Sequence, residues 1–231
     1  MAQPPLDAER VIRDFSGVVP LFPLPSLVLF PDVVAPLLIF EDRYRQMTTD
    51  ALAGEKLIGM ALLRPGWETQ YEGAPAIEPH VCVGSIVSHE QLPDGRYKLL
   101  LYGLFRAEVI EEVQAVPYRK ARVKVRPDEV RGAHLREVDE RLHQVLAMLP
   151  GRRGRVGRIR ALATQVRGGG GGPGRIADAA AEVADLEPAE RYRILSEPDV
   201  LRRLATLADI LEVKDRDRGA LLPPRADPAL N

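Results

Sequence analysis

A chain of 231 residues can bury a real core, as one large domain or as two small ones. With 45% hydrophobic residues, 28% charged residues and a net charge of −1, it has no overall basic field to draw in nucleic acid or an anionic membrane. Cys82 is the only cysteine, which excludes an intrachain disulfide and suits a reducing compartment.

Met1 to Asp7 show neither the charged start nor the apolar run of a signal peptide. The most apolar stretch, Val18 to Phe40, is cut by Pro20, Pro23, Pro25, Pro31, Pro36 and Asp32, too often for a membrane span. The expected location is the cytoplasm, with no membrane partner. Val18 to Pro25 interleaves apolar residues with proline, and proline cannot donate to a sheet ladder, so these pieces are expected as edge strands or strand ends. Ala35 to Phe40 reads as a second short strand. Tyr44, Met47, Ala51 and Leu52 recur at helical spacing, with Gly54 as the C-terminal cap. Leu57 to Leu63 is a buried strand, and Arg64 to Pro79 a surface loop.

Val81 to Tyr102 predicts a long hairpin about the turn Pro93-Asp94-Gly95. Gly103 breaks or bulges its second strand, which resumes through Phe105 to Val113. In the last strand Ala121, Val123 and Val125 alternate with Lys120, Arg122 and Lys124, giving one buried and one basic, solvent-facing side. Several antiparallel strands and one helix imply a small, partly open β-barrel over 15–130.

From residue 131 the period becomes helical, so the fold class is α+β, with a helical bundle over 131–213. Leu135, Val138, Leu142, Val145, Leu146 and Leu149 form one stripe. The linker 151–175 holds seven arginines, no acidic residue and the run Gly168 to Gly172, the composition of a mobile hinge. Ile176 to Leu186 is an alanine-rich helix, and Pro188 starts a short one through Leu195. Ser196 to Asp199 has the form of a capping box for a last helix carrying Val200, Leu204, Leu207, Ala208 and Leu211. The tail 214–231 is expected to fray from Lys214.

Pro20 to Pro25, Leu29-Phe30-Pro31 and Pro36 to Tyr44 together resemble the opening of the N-terminal domain of Lon proteases. Val83-Gly84, Leu92 to Tyr97, Gly103 to Arg106 and Tyr118 follow in the family's order. Pro173 to Asp178, Arg193 to Glu197 and Val200 to Leu204 resemble its helical bundle. Asp42 departs from the pattern, which favours proline there. The resemblance implies a PUA-like β-barrel followed by a helical bundle, and a substrate-recognition role associated with proteolysis by the S16 peptidases. A whole Lon also has an ATPase and a Ser-Lys peptidase. No lysine of this sequence follows Gly-x-x-x-x-Gly, and no serine sits in a recognisable nucleophile motif. The expected activity is therefore binding without catalysis, with no cofactor, either as an adaptor for a separate protease or as an independent binding factor.

Among the candidate residues, Glu41, Arg43 and Arg106 invite a ligand-contacting charge cluster, against a structural ion pair fixing helix to barrel, which is the favoured reading. His80, Cys82 and His89 have soft ligand chemistry but no fourth partner, so no metal is expected. Leu24, Leu27, Phe30 and Val33 lie in proline-broken segments that a small barrel cannot fully cover. Together with Trp67 in its loop, they are expected to receive unfolded or extended polypeptide. Such a patch also permits self-association. The arginines of 152–167 offer the alternative of RNA or DNA binding, disfavoured because no aromatics interleave with them.

Overall fold

The computed structural model describes residues 8–70, 73–130, 135–149 and 172–221. The sheet is built from β1 (Val18–Leu24), β2 (Val34–Ile39), β3 (Leu57–Leu62), β4 (His80–Gln91), β5 (Tyr97–Gln114) and β6 (Lys120–Val125). A short α1 (Ala8–Asp14), which the sequence reading did not anticipate, precedes it, and α2 (Asp42–Ala53) is inserted between β2 and β3. Among the described residues the C-terminal part contains α3 (Leu135–Met148), α4 (Pro173–Val183), α5 (Pro188–Ser196) and α6 (Val200–Leu221).

The strand order is β2-β5-β4-β3-β1-β6, and β6 also pairs with β5. At 18 residues β5 is long enough to serve twice: Tyr97 to Tyr102 pairs with β2, and Ala107 to Gln114 with β6. The far half of β5 thus closes a ring, and β2 remains as an added outer strand. The expected hairpin joins β4 and β5, with Gly95 at φ 85 in its turn. The expected bulge is also present, since Gly84 faces Gly103 but Val83 faces Phe105.

The prolines of β1 do not place it at an edge, which corrects that expectation. β1 lies inside the sheet between β3 and β6. Leu21 N–H donates to Arg119 O at 2.8 Å and Leu24 O accepts from Leu63 N–H at 3.0 Å, so odd residues address β6 and even residues β3. Pro20 therefore turns its nitrogen to β3 one residue before that pairing begins at Leu21. Pro23 turns its nitrogen to β6 after that pairing has ended at Pro20. Each proline nitrogen thus falls outside the paired run on its own side, so neither proline interrupts a ladder.

Helix ends bring further corrections. Gly54 does cap α2, its N–H donating to Asp50 O and Ala51 O at 3.1 Å each, but at φ −107. The left-handed residue of that turn is Lys56, at φ 58. Ser196 does not cap α6, since its hydroxyl donates back to Arg193 O at 3.2 Å. Asp199 does so instead, accepting from Leu201 N–H at 3.0 Å and Arg202 N–H at 3.1 Å. Of the tail expected to fray, α6 includes Lys214 and runs on to Leu221, Lys214 Nζ reaches Glu190 of α5 at 3.0 Å, and 222–231 lie outside the described residues.

β3, the first half of β4 and the middle of β5 are covered on both faces, which explains why these segments read as near-continuous apolar runs, whereas β2 and β6 expose alternate residues. Val19, Leu21, Val81, Val83, Phe105, Ala121 and Val123 form one cluster, closed over by Val11, Ile12 and Phe15 from and just after α1. Phe22, Phe30, Ile58, Met60, Cys82 and Leu101 lie in the other, together with Tyr44 and Met47 of α2 and Ile176, Ala180, Ile194, Leu204 and Leu207 of the C-terminal helices. The second core is thus continuous from barrel to bundle.

Candidate functional site

β2 has the burial rhythm exposed, buried, exposed, and so on throughout: Ala35, Leu37 and Ile39 enter the core while Val34, Pro36 and Leu38 face outward. Large apolar side chains are exposed here, with Val34 and Leu38 each 47% exposed, Phe40 60% and Leu100 of the neighbouring strand 41%; Ile110, Val113 and Val116 are exposed at and just beyond the far end of β5. Leu100 lies directly opposite Pro36, Lys98 opposite Leu38 and Tyr102 opposite Val34, so these residues form one strip across two strands. The Tyr102 hydroxyl donates to Asp32 Oδ1 at 2.5 Å, and Asp32 also lies 3.3 Å from Arg175 Nε at the start of α4. Burial and the Asp32 carboxylate together push the Tyr102 phenol up to about 12, so it stays a donor.

The expected patch is placed differently. Phe30 has no exposed surface; its ring lies 5.3 Å from the Arg191 guanidinium of α5, and it cannot touch a partner directly. Leu24, Leu27 and Val33 are half-buried against the same core. The C-terminal helices supply the cover that a barrel alone lacks. Trp67 is half-buried in a 3-10 turn, Trp67–Gln70. The residues that sequence reasoning missed, Val34, Leu38, Phe40 and Leu100, carried a weak signal: in Val34-Ala35-Pro36-Leu37-Leu38-Ile39 both faces are apolar, so alternation cannot show which one is out.

Glu41, Arg43 and Arg106 do not form a single cluster. Arg43 pairs with Glu41 at 2.8 Å and lies 4.7 Å from the Tyr44 ring. Arg106 instead reaches into the bundle, 5% exposed. Its Nε donates to Leu195 O of α5 at 3.0 Å, its Nη1 to Asp128 at 3.1 Å, and its Nη2 to Asp178 of α4. Arg203 of α6, fully buried, completes the set, donating to Asp128 Oδ1 at 2.5 Å and Asp178 Oδ1 at 3.2 Å. Two arginines face two aspartates, so the cluster is neutral as a whole. Burial opposes the Arg106 charge, but Asp178 and Asp128 outweigh it and hold its pKa up. The favoured ion-pair reading of Arg106 thus has partners, Asp178 on α4 and Asp128 in the segment after β6, rather than on α2. A signal for Asp178 existed, as the lone acid on the buried face of alanine-rich α4.

His80 Nδ1 lies 3.1 Å from the Tyr192 hydroxyl, Cys82 is fully buried with its thiol pushed up by burial, and His89 is exposed. Among the described residues no group of three His, Cys, Asp or Glu side chains could hold a metal ion. No described helix is long and apolar enough to cross a membrane. The arginines of 152–167 and the glycines up to residue 171 lie outside the described residues.

Two solved structures share this fold. The Lon N-terminal domain protein of Xanthomonas campestris superposes with a TM-score of 0.54 at 23% identity, over 89% of this chain and 99% of that one. The N-terminal domain of the Mycobacterium avium complex Lon protease gives 0.62 at 20% identity, over 84% and 98%. The architecture is accordingly a PUA-like barrel followed by a helical bundle. In sequence, the chain is 28% identical to Lon protease 2 of Myxococcus xanthus over 211 residues, 87% of this chain but 24% of that protein. It is likewise 28% identical to the Lon protease of Dictyoglomus thermophilum over 218 residues, 88% of this chain and 26% of the relative. The chain thus spans about a quarter of the length of the curated relatives it matches. The model of the ATP-dependent protease La (LON) substrate-binding domain matches residues 18–213, and the chain belongs to that family.

Proposed function

We propose that this chain binds extended, unfolded polypeptide on the outer face of β2 and β5, without cutting it. The observation that carries the reading is the apolar strip of Val34, Leu38, Phe40 and Leu100, exposed side by side on the outer face of two neighbouring strands. Membership of a substrate-binding family supports the polypeptide as partner. Binding without catalysis is supported by the sequence itself, which contains no phosphate-binding Gly-x-x-x-x-Gly-Lys-Ser/Thr. As an adaptor in protein quality control, the domain would present the held segment to a separate protease in the cytoplasm.

Half-buried Leu24, Leu27, Val33 and Trp67 are proposed as supporting residues, with Trp67 the natural optical reporter. The test is fluorescence anisotropy of a labelled, chemically unfolded apolar polypeptide titrated with the protein. Leu38→Asp and Leu100→Asp place a charge on the strip and are expected to weaken binding by about tenfold or more each, with the fold unchanged by circular dichroism. Undiminished binding by both variants would contradict the assignment. A change in Trp67 emission on binding would extend the contact to its loop.

A further inference from the structure

The apolar strip lies on a strand with a single neighbour. Among the described residues β2 is hydrogen-bonded to β5 alone. Gly103 N–H donates to Val33 O at 2.9 Å, so Val33 turns its carbonyl to β5, and at the other end the hairpin bond from Leu92 N–H to Arg96 O at 2.8 Å turns the main-chain groups of Arg96, Lys98 and Leu100 to β4. Direction alternates along a strand, so Tyr97, Leu99 and Leu101 address β2, their partners Ala35, Leu37 and Ile39 turn their main-chain groups to β5, and Val34, Pro36 and Leu38 turn theirs to the open side. Pro36 sits where the sheet needs no donor, and its missing N–H is missing from the open edge. That edge offers the N–H groups of Val34 and Leu38 and the carbonyls of Val34, Pro36 and Leu38.

The charges that border this edge are matched within the chain. Lys98, opposite Leu38, lies 3.4 Å from Glu90. Asp32, just before β2, lies 3.3 Å from Arg175. Arg43 and Glu41, just after Phe40, are 2.8 Å apart. Arg96, beside Tyr97, lies 2.7 Å from Asp94. A neutral border is complementary to an uncharged segment, because a charged one would lose water and gain no partner.

We propose that β2 accepts its polypeptide as an added strand: an uncharged, apolar segment matching the six residues of β2 and bonded through the open-edge groups of Val34, Pro36 and Leu38. Pro36 moderates that pairing by withholding one donor, which keeps the edge from recruiting strands indiscriminately. This rests on the polypeptide-binding reading and specifies its mode and its client.

The test uses the whole chain and a labelled six-residue peptide of alternating Val and Thr with a Gly-Ser tail, matched in length to β2. Pro36→Val restores the missing N–H at a solvent-facing position and is expected to tighten binding about three- to tenfold, one hydrogen bond's worth. The same peptide N-methylated at alternate amides is expected to bind at least about tenfold more weakly. Chemical shifts of Leu99 and Leu101, on β5 opposite β2, check that Pro36→Val leaves the sheet intact. Unchanged affinity in either comparison overturns strand addition; if Leu38→Asp still weakens binding, the polypeptide-binding reading survives it. If the parent peptide does not bind and unfolded polypeptide also fails to bind, both are overturned.

Discussion

Arg106 shows how one side chain can be read correctly in kind and wrongly in place. A buried guanidinium is stable only when charges and carbonyls surround it, and the cluster with Asp128, Asp178 and Arg203 provides both. Asp178 lies 72 residues from Arg106, and Arg203 lies 75 from Asp128, so spacing could not assemble them. Gly174 is part of the same arrangement, because a Cβ there would fall 1.7 Å from Asp128 Oδ2. Gly174→Ala should therefore break the cluster and lower stability by about 3 kcal/mol or more in urea unfolding, the scale of an opened buried ion pair. Wild-type stability in that variant would deny the cluster its role. His80 makes a second prediction. Burial, first among its causes, lowers its pKa below the ordinary 6.5, so the fold prefers the neutral ring. Its contribution is intact above 6.5 and is lost as pH falls through 6.5 towards the folded-state value. Thermal melting from about pH 7.5 down to about pH 5 should decline less steeply in His80→Gln than in the wild type; identical slopes would show that His80 carries no share of it.

At the scale of elements, most of the plan was legible because each element has its own local signal. The hairpin at Asp94-Gly95, the stripe of α3 and the Pro188 start of α5 stand in the structure as the sequence suggests. The placement of β1 was not legible, because a proline's compatibility with an inner strand depends on where its two neighbours begin and end. The length of α6 was not legible either, since its last turns are charged and gain support from Glu190 of another helix. The junction of β2 with β5 is tighter than any pattern reveals. A Cβ on Gly103 would lie 2.1 Å from the Phe30 carbonyl, backbone against backbone. Gly103→Ala should thus displace the segment before β2, seen as faster amide exchange at Asp32, whose N–H donates to the residue-103 carbonyl, and at residue 103 itself, whose N–H donates to Val33 O. Exchange as slow as in the wild type would show that the junction yields at little cost.

The barrel and the bundle are separate in sequence but share a core in space, running from Ile58 and Leu101 to Ile194 and Leu204, while the barrel keeps a second core around Leu21 and Val83. This is why the candidate site moved. The sequence assigned an uncovered surface to Leu24, Leu27, Phe30 and Val33, reasoning from a barrel alone, whereas the bundle covers Phe30 and leaves the outer face of β2 exposed. Family membership and the strip are the two observations on which the proposed polypeptide-binding surface rests. The most direct test is chemical-shift mapping of the isotope-labelled protein titrated with an unfolded, uncharged apolar polypeptide. Shifts concentrated at Val34, Leu38, Phe40 and Leu100 are predicted, saturating with a single binding curve. Saturable shifts that leave those four residues unmoved, or no shifts at all, would contradict the account.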